Sequence, residues 1–367
     1  RFGGDALETA EALHELGGLD RYLDRLAVGT QRLERALAIR QSRLGREHLD
    51  VARTHAQLGI LNRFAGDGDG AREHFVTALA IADRLGAGGD ETARWLNNLG
   101  LVEADRGERV AAERAYRRSL ALMEASAGAE NPLLALPLDN LGMLLRGEER
   151  FDEALPLLER ARDLVARTWG EDHAQFGTAL TSLGAVYLGL ERFPEALPLF
   201  ERGAAVYSRA LGPEHRWVAW PLTGAGDCRL ALGEPRAALA LFERAAAIRA
   251  AALGPDHPEL AQSLGRIGLA ESALGRHEHA EASHRAALAM LRRTTEAGST
   301  VLAEQIVDLA ASLEQRGGSG DARDLYIEAE AIFRAAYPDG HSYRVRVADA
   351  LARLDAQPPA AAASPPH

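Results

Sequence analysis

Histidines are the side chains of this chain that most readily suggest chemistry, because a neutral imidazole binds metal ions and titrates near neutral pH. Five of the 12 histidines stand 125, 42, 42 and 84 residues apart, namely His48, His173, His215, His257 and His341. A structural period of this length would place neighbours about 10 Å apart, too far to share an ion bound at about 2 Å. Asn131 lies in the same register. We therefore predict that these residues cap the helices that follow them.

A second group of histidines is closer together in sequence but has poor geometry for a shared ion. His277, His279 and His284 stand at positions i, i+2 and i+7 around a predicted helix start, where only one pair could share a face. The single cysteine, Cys228, lies in a predicted packed helix, so we interpret it as a small core residue rather than a nucleophile. We predict no metal site and no cofactor.

Catalytic constellations are also missing from the sequence pattern. The paired acids Glu148-Glu149, and Asp20 with Asp24, are typical of solvated helix ends. The chain contains no lysine, which excludes a P-loop lysine, Schiff-base chemistry and Ser-Lys pairs. No segment has the strand pattern that would precede a phosphate-binding loop. We therefore predict that the chain is not an enzyme.

Composition limits the kinds of partner. A net charge of −11 argues against a nucleic-acid surface, which would show as a basic patch. No apolar run approaches the roughly 18 residues that a membrane-spanning helix needs. One cysteine excludes an internal disulfide framework and slightly favours the cytoplasm. Because the chain begins with Arg1 and has no signal-peptide pattern, we expect a longer protein that extends upstream.

The elements that position these side chains follow a fixed period. A pair of an aliphatic residue and Gly or Ala, which we call the Leu-Gly mark, recurs at steps of 42, 41, 42, 42, 42, 42, 42 and 42 residues. Its copies are Leu16-Gly17, Leu58-Gly59, Leu99-Gly100, Leu141-Gly142, Leu183-Gly184, Ala225-Gly226, Ile267-Gly268, Leu309-Ala310 and Leu351-Ala352. A second set of small residues keeps the same register from Ala36 to Ala329. This period is typical of stacked-repeat proteins.

Each period predicts a hairpin of two amphipathic helices. First helices are predicted near residues 5–17, 50–64, 91–106, 133–148, 175–190, 217–232, 259–274 and 300–316. Second helices are predicted near residues 24–43, 70–85, 110–126, 152–168, 194–210, 236–252, 278–294 and 321–336. Copy one is the least regular, since Gly17-Gly18 falls inside its expected first helix.

The predicted fold class is therefore all-α, a right-handed α-solenoid of about eight 42-residue hairpins. A ninth first helix at residues 343–354 would cap the stack. The solenoid is expected to span residues 1–355, and residues 356–367 are predicted to be a disordered Pro/Ala-rich tail.

The best-defined copy resembles the tetratricopeptide repeat, through Leu180-x2-Leu183-Gly184-x2-Tyr187 and Ala196-x3-Phe200. The connector Leu253-Gly254-Pro255-Asp256-His257-Pro258 and the 42-residue period are similar to the repeats of kinesin light chains. The resemblance covers about residues 6–355. HEAT and armadillo repeats, of similar length, are the structural alternative. The small-residue marks favour the tetratricopeptide fold, because Gly184 facing Ala196 would let the two helices approach closely.

The resemblance also implies where a partner binds, because first helices line the inner surface of tetratricopeptide stacks. The candidate inward positions hold Arg53, Arg94, Asn97, Asn98, Asn140, Arg146 and Trp220. Asn amides can hold an extended peptide backbone, and Arg recognises carboxylates with two hydrogen bonds. Arg53, Arg94 and Arg146 predict a locally basic rim suited to an acidic segment. The alternative is that these are ordinary solvated positions on a scaffold.

We interpret the chain as a non-enzymatic scaffold that binds a protein or peptide. Its Arg- and Ala-rich, lysine-free composition is typical of a high-GC bacterial genome. In such bacteria, arrays resembling this one often form the C-terminal part of STAND-type signalling ATPases. The chain would then be the sensor or partner-recruiting arm of a larger cytoplasmic signalling protein. A free-standing adaptor, or the substrate-recruiting arm of an enzyme whose catalytic domain lies outside this chain, are the alternatives.

Overall fold

Seventeen α-helices and no strand occur in the part of the computed structural model that is described, residues 6–23 and 25–356. The first helices are α1 (Leu7–Asp20), α3 (Leu49–Phe64), α5 (Asp90–Asp105), α7 (Ala135–Gly147), α9 (Ala174–Gly189), α11 (Ala219–Ala231), α13 (Pro258–Ala273) and α15 (Thr300–Gln315). The second helices are α2 (Leu26–Leu44), α4 (Gly68–Arg84), α6 (Arg109–Ala127), α8 (Phe151–Trp169), α10 (Phe193–Leu211), α12 (Pro235–Leu253), α14 (His277–Thr294) and α16 (Ser319–Ala336). The predicted all-α array of hairpins is confirmed.

The chain divides into two compact units, Arg1–Thr168 and Trp169–His367. Within each unit helices that are neighbours in sequence pack together, as α3 does with α2 and α4 in the first unit and α13 with α12 and α14 in the second. In the second unit α17 (Ser342–Asp355) packs on α16, as predicted for a capping helix. The single continuous solenoid over residues 1–355 stays a prediction. The predicted tail lies outside the described residues, except for Ala356.

Three helices depart from their predicted bounds for local reasons. α1 continues through Gly17-Gly18 to Asp20, and a Cβ on Gly17 would come within 2.7 Å of Leu33 of α2. The glycine thus permits a close approach instead of ending the helix. α7 and α11 begin later than predicted, because each is preceded by a 3-10 turn, at Pro132–Leu134 and Arg216–Val218.

Buried rings on the second helices fill the hairpins opposite the Leu-Gly marks. Phe75, Tyr116, Phe200 and Phe242 are the side chains that a Cβ on Gly59, Gly100, Gly184 and Gly226 would meet. The small marks therefore let the two helices of a hairpin approach closely, as predicted. The side chain nearest to Gly184 is the ring of Phe200, whereas the sequence predicted Ala196 there. Cys228 is fully buried, as predicted for a core residue, and burial raises its pKa to about 12.

The row of histidines caps helices, as predicted. In each, Nδ1 accepts the backbone N–H two residues later at 3.1–3.4 Å, and the residues are His48, His173, His215, His257 and His341. Asn131 accepts the N–H of Leu133 in the same way at 3.0 Å. Within the described ranges, no three or more His, Cys, Asp or Glu side chains are grouped so that they could hold a metal ion. No described helix combines the length and apolar character needed to cross a membrane.

Candidate functional site

A cleft of about 430 Å³ opens on the first unit between α1, α3 and α5. Three of the predicted site residues line it, namely Arg53, Arg94 and Asn98. We call the surface that carries them the inner face, defined by the positions one and five residues before the Leu of the mark in α1, α3, α5 and α7. The volume falls in the range of about 300–1,000 Å³ that is usual for ligand-binding clefts.

Arg53 is held by carboxylates on two helices. Its Nε lies 3.0 Å from Glu91 Oε1, its Nη2 lies 3.0 Å from Glu91 Oε2, and its Nη1 lies 2.9 Å from Asp50 Oδ1. The hydrogen bond to Glu91 is the largest cause that raises the pKa of Arg53. These bonds occupy the donors that a ligand carboxylate would need. Arg53 therefore joins α3 to α5 and does not present a free charge.

Arg94 presents a free guanidinium to the cleft. Its side chain is exposed, and no carboxylate of the described residues forms an ion pair with it. Asn98 lies four residues later on the same helix face, is half-buried, and makes no side-chain hydrogen bond within the described part of the chain. Together they leave several N–H donors, and one amide oxygen, facing the cleft.

The expectation of a locally basic rim is wrong for this cleft. Carboxylates outnumber guanidinium groups in its lining, which includes Glu11, Glu15, Asp50 and Glu91 beside Arg40, Arg53 and Arg94. The acids come from α1 and from the starts of α3 and α5, outside the set of arginines from which the basic rim was predicted. The two acids on α3 and α5 are paired with Arg53, so the exposed acids Glu11 and Glu15 lie on α1 and the arginine without an ion pair among the described residues lies on α5.

Asn140 is joined to Asn97 rather than to the predicted neighbour Asn98. Its Nδ2 donates to Asn97 Oδ1 at 2.9 Å, and Asn97 is buried. This hydrogen bond links α7 to α5 beside the cleft. Asn97 is therefore a packing residue, while Asn98, one position later, is the amide that faces the cleft.

Arg146 and Trp220 are predicted site residues that do not belong to the lining of this cleft. Arg146 is half-buried in the last turn of α7, and its Nε is buried without a hydrogen-bond partner among the described residues. Trp220 belongs to α11 in the second unit, where its side chain is 37% exposed. Neither residue lines the cleft that holds Arg94.

Arg40 borders the cleft from α2, and the sequence analysis missed it. Its buried guanidinium donates to Thr54 Oγ1 at 2.8 Å and to His14 Nδ1 at 3.2 Å, and it pairs with Glu11. Burial lowers the pKa of His14, and the charge of Arg40 lowers it further, so this histidine stays neutral and accepts through Nδ1. The sequence does contain a sign of this buried arginine, since the same register of the repeat holds Met123, Val165 and Tyr207 in later copies. An arginine at an apolar register needs polar partners nearby.

In the second unit an arginine again occupies this register, and two charged residues of a smaller cleft each form an ion pair. Arg249 takes the register of Arg40 and donates to Ser263 Oγ at 2.5 Å. A smaller cleft of about 170 Å³ is lined by Arg266 and Asp308 among others. Arg266 lies 3.2 Å from Asp227, and Asp308 lies 3.2 Å from Arg346. Burial raises the pKa of Asp227, and the nearby Arg266 guanidinium opposes that rise.

Stacked hairpins with polar side chains exposed on the first helices define a helical-repeat scaffold, whose extended surface suits the binding of other chains. The family model of the tetratricopeptide repeat matches residues 8–84, 57–125, 91–167, 133–209, 175–251 and 231–293. The chain therefore belongs to the tetratricopeptide repeat family.

Solved structures of similar fold include a tetratricopeptide repeat protein from Parabacteroides merdae, 15% identical, with a TM-score of 0.55, covering 83% of this chain and 98% of that one. A Rap protein complexed with competence and sporulation factor is 12% identical, with a TM-score of 0.59 and coverage of 94% and 98%. Repeats assigned to a kinesin light chain of Podosopora anserina are 22% identical, with a TM-score of 0.44 and coverage of 54% and 93%. A sequence comparison with curated proteins gives no significant match.

Proposed function

We propose that this chain is a non-enzymatic scaffold that binds an extended protein or peptide segment along the inner face of its first unit. The observation that carries the proposal is the pair Arg94 and Asn98. In the cleft that they line, Arg40 is paired with Glu11, and Arg53 is paired with Asp50 and Glu91. Arg94 and Asn98 are left to donate to a partner.

An acidic side chain next to an exposed backbone carbonyl would suit this pair. A guanidinium holds a carboxylate with two hydrogen bonds, and an Asn amide can both donate to and accept from a peptide group. Tetratricopeptide repeats are protein-interaction scaffolds, and the solved Rap complex shows that a protein of similar fold holds a second molecule. The acidic segment proposed as partner therefore depends on Arg94 rather than on a basic rim.

The test is the double variant Arg94→Ala with Asn98→Ala, compared with the wild type for a partner recovered from the source organism. We expect binding to weaken at least about tenfold, roughly 1.4 kcal/mol, with an unchanged melting temperature. Higher salt should weaken binding of the wild type, because the arginine contact is screened. Arg114→Ala is the matched control, because Arg114 is exposed on α6 and makes no ion pair within the described residues.

Unchanged affinity in the double variant would place the binding surface elsewhere on the chain. Asn140→Ala is unsuitable for this test, because the loss of its hydrogen bond to Asn97 would also alter the packing of α7 on α5.

We further propose that the chain is the sensor or partner-recruiting arm of a larger, cytoplasmic bacterial signalling protein of the STAND type. The support is the composition and the repeat type described above. The test is the genomic sequence that encodes the residues before Arg1. A Walker-type Gly-Lys-Ser/Thr motif there would support this context, an initiator codon just upstream would indicate a free-standing adaptor, and a hydrolase domain would indicate a substrate-recruiting arm.

A further inference from the structure

Side-chain chemistry changes in a fixed order along the inner face of the first unit. The positions one residue before the Leu of the mark hold, from α1 to α7, Glu15, Gln57, Asn98 and Asn140. The positions five residues before it hold Glu11, Arg53, Arg94 and Leu136. The face therefore begins with acids on α1, continues with a neutralised arginine on α3 and the free arginine on α5, and ends with a leucine on α7.

The α1 end offers more acceptors than donors, because only Glu11 of its acceptors has a charged partner among the described residues. Glu15 is exposed and forms no ion pair within the described residues, and Glu11 is exposed although it also pairs with Arg40. On the neighbouring helix, Gln57 Oε1 is buried and has no hydrogen-bond partner in the described part of the chain. All three residues line the same cleft. An ammonium or guanidinium group, which only donates, fits this arrangement.

The α7 end offers apolar surface. Leu136 is 50% exposed in the register that holds Arg53 and Arg94 on the earlier helices. Leu133 lies three residues earlier, in the 3-10 turn before α7, and is half-buried. Burial of these two side chains by an apolar partner residue would be favourable.

We infer that the inner face of the first unit binds an extended segment whose basic, acidic and apolar side chains follow one another in that order from α1 to α7. The inference rests on the proposed function and adds the chemistry and order of the partner's side chains. The basic side chain lies at Glu15 and Gln57, the acidic one at Arg94, and the apolar one at Leu133 and Leu136.

Helix spacing sets the separation between these side chains. Packed helices lie about 10 Å apart, and an extended chain advances about 3.3 Å per residue, so one repeat corresponds to about three residues. α1 and α5 are two repeats apart, and α5 and α7 are one repeat apart. The matching segment has its basic and acidic residues about six positions apart and its apolar residue about three positions beyond the acid. The residues of the segment between its basic and acidic positions pass α3. They are expected to be uncharged, because the Arg53 guanidinium on α3 is already paired with Asp50 and Glu91.

The probe is a displayed library of random 16-residue peptides, selected on the full chain and, in parallel, on the Arg94→Glu variant. We expect the wild type to enrich peptides with a basic residue, an acidic residue about six positions away, and an apolar residue about three positions further in the same direction. Selection on Arg94→Glu should replace the acidic residue with a basic one.

A charge swap at α1 tests the new part of the inference. For one selected peptide, Glu15→Lys should weaken binding at least about tenfold, and exchanging the basic residue of that peptide for glutamate should restore it. Glu34→Lys is the matched control, because Glu34 is exposed on α2 and forms no ion pair within the described residues.

The outcomes separate the inference from the proposed function. Peptides that depend on Arg94 but are indifferent to Glu15→Lys, or that carry no basic residue at the expected spacing, would overturn the inference and leave the proposed function standing. If no peptide is enriched, or if the enriched peptides bind the Arg94→Glu variant equally well, both are overturned.

Discussion

Gly226 and Gly184 occupy the same register in neighbouring first helices, but the opposing ring lies much closer to one than to the other. A Cβ on Gly184 would lie 3.2 Å from the ring of Phe200. A Cβ on Gly226 would penetrate well inside the van der Waals surface of Phe242. The same residue type therefore meets two different packing constraints.

Gly226→Ala should destabilise the protein by about 1–3 kcal/mol, because the buried ring must move to admit the methyl group. Gly184→Ala should leave the free energy of unfolding nearly unchanged. The slightly short contact between the new methyl group and Phe200 is offset by a gain in helix propensity of about 1 kcal/mol. Urea unfolding of the two variants checks this. Equal losses at both positions would show that the differing gaps do not set the cost.

His284 places a titratable ring where other copies have Phe200, Phe242 or Tyr326. It is fully buried, Gln305 Nε2 lies 2.9 Å from its Nδ1, and its Nε2 has no partner among the described residues. Gly268 of α13 faces the ring, and Asp308 of α15 is the charged group that acts on it. Burial lowers the pKa of His284, and Asp308 opposes this only in part.

Acid should therefore weaken the fold through this histidine. Because its pKa is lower in the folded chain than the ordinary value near 6.5, the unfolded chain binds the proton more readily. The contribution is complete above about pH 6.5 and is lost as pH falls below it. His55 acts in the same direction, since burial and then His74 lower its pKa to about 4.

His284→Phe should reduce the loss of unfolding free energy between pH 7 and pH 5. The readout is the difference between the two pH values, because the loss of the Gln305 contact alters stability at both of them. An unchanged pH dependence in the variant would contradict a titrating role. A parallel series with His48→Asn, which keeps an N-capping side chain, controls for removing a half-buried histidine.

At the scale of elements, one position in the hairpin turns needs a residue with a left-handed backbone conformation, that is, a positive φ. Most copies place glycine there, as at Gly233 with φ of 77°, but Glu149 and Glu191 take φ of 60° and 57°. A non-glycine residue in this region costs about 1–2 kcal/mol. The turns with glycine at this position have a similar φ, so the strain at these two turns comes from the Glu side chain in place of glycine.

Glu191→Gly should stabilise the protein by about 0.5–1 kcal/mol, because the relief of strain exceeds the added freedom of the unfolded chain. Gly233→Ala is the reciprocal variant, since no atom of the described residues lies within 4 Å of its Cβ position and any cost comes from the backbone conformation. It should destabilise by a similar amount. Chemical denaturation of both measures the effect, and a loss of stability in Glu191→Gly would refute the backbone argument.

At the scale of the molecule, the hairpins of the second unit contact their sequence neighbours, so damage within that unit should stay local. Gly226→Leu forces a large side chain against Phe242 and should loosen α11, α12 and the helices packed on them. Hydrogen exchange should accelerate there, while α16 and α17 keep their protection. Uniform acceleration throughout the second unit would show that it unfolds as one cooperative block.

The sequence by itself determined the repeat, its register and the helices. The small residue at each Leu-Gly mark acts within one hairpin or across one connector, as do rings such as Phe200 and caps such as His257. Their spacing along the chain therefore reports their contacts directly. Because each repeat contacts only its neighbours, the same contacts recur in successive copies. Even the shift in the start of α11 affects only the turn that His215 caps.

Only the tertiary structure decided which polar side chains remain available to a partner. Arg53 and Arg94 share one register, yet Arg53 is neutralised by Glu91, 38 residues away on the next first helix. Asn140 likewise bonds Asn97, 43 residues away, while Asn98 makes no side-chain hydrogen bond with any described residue. A guanidinium is satisfied by whichever carboxylate the packing brings within about 3 Å. That distance depends on how neighbouring helices are set against one another, which the register does not specify.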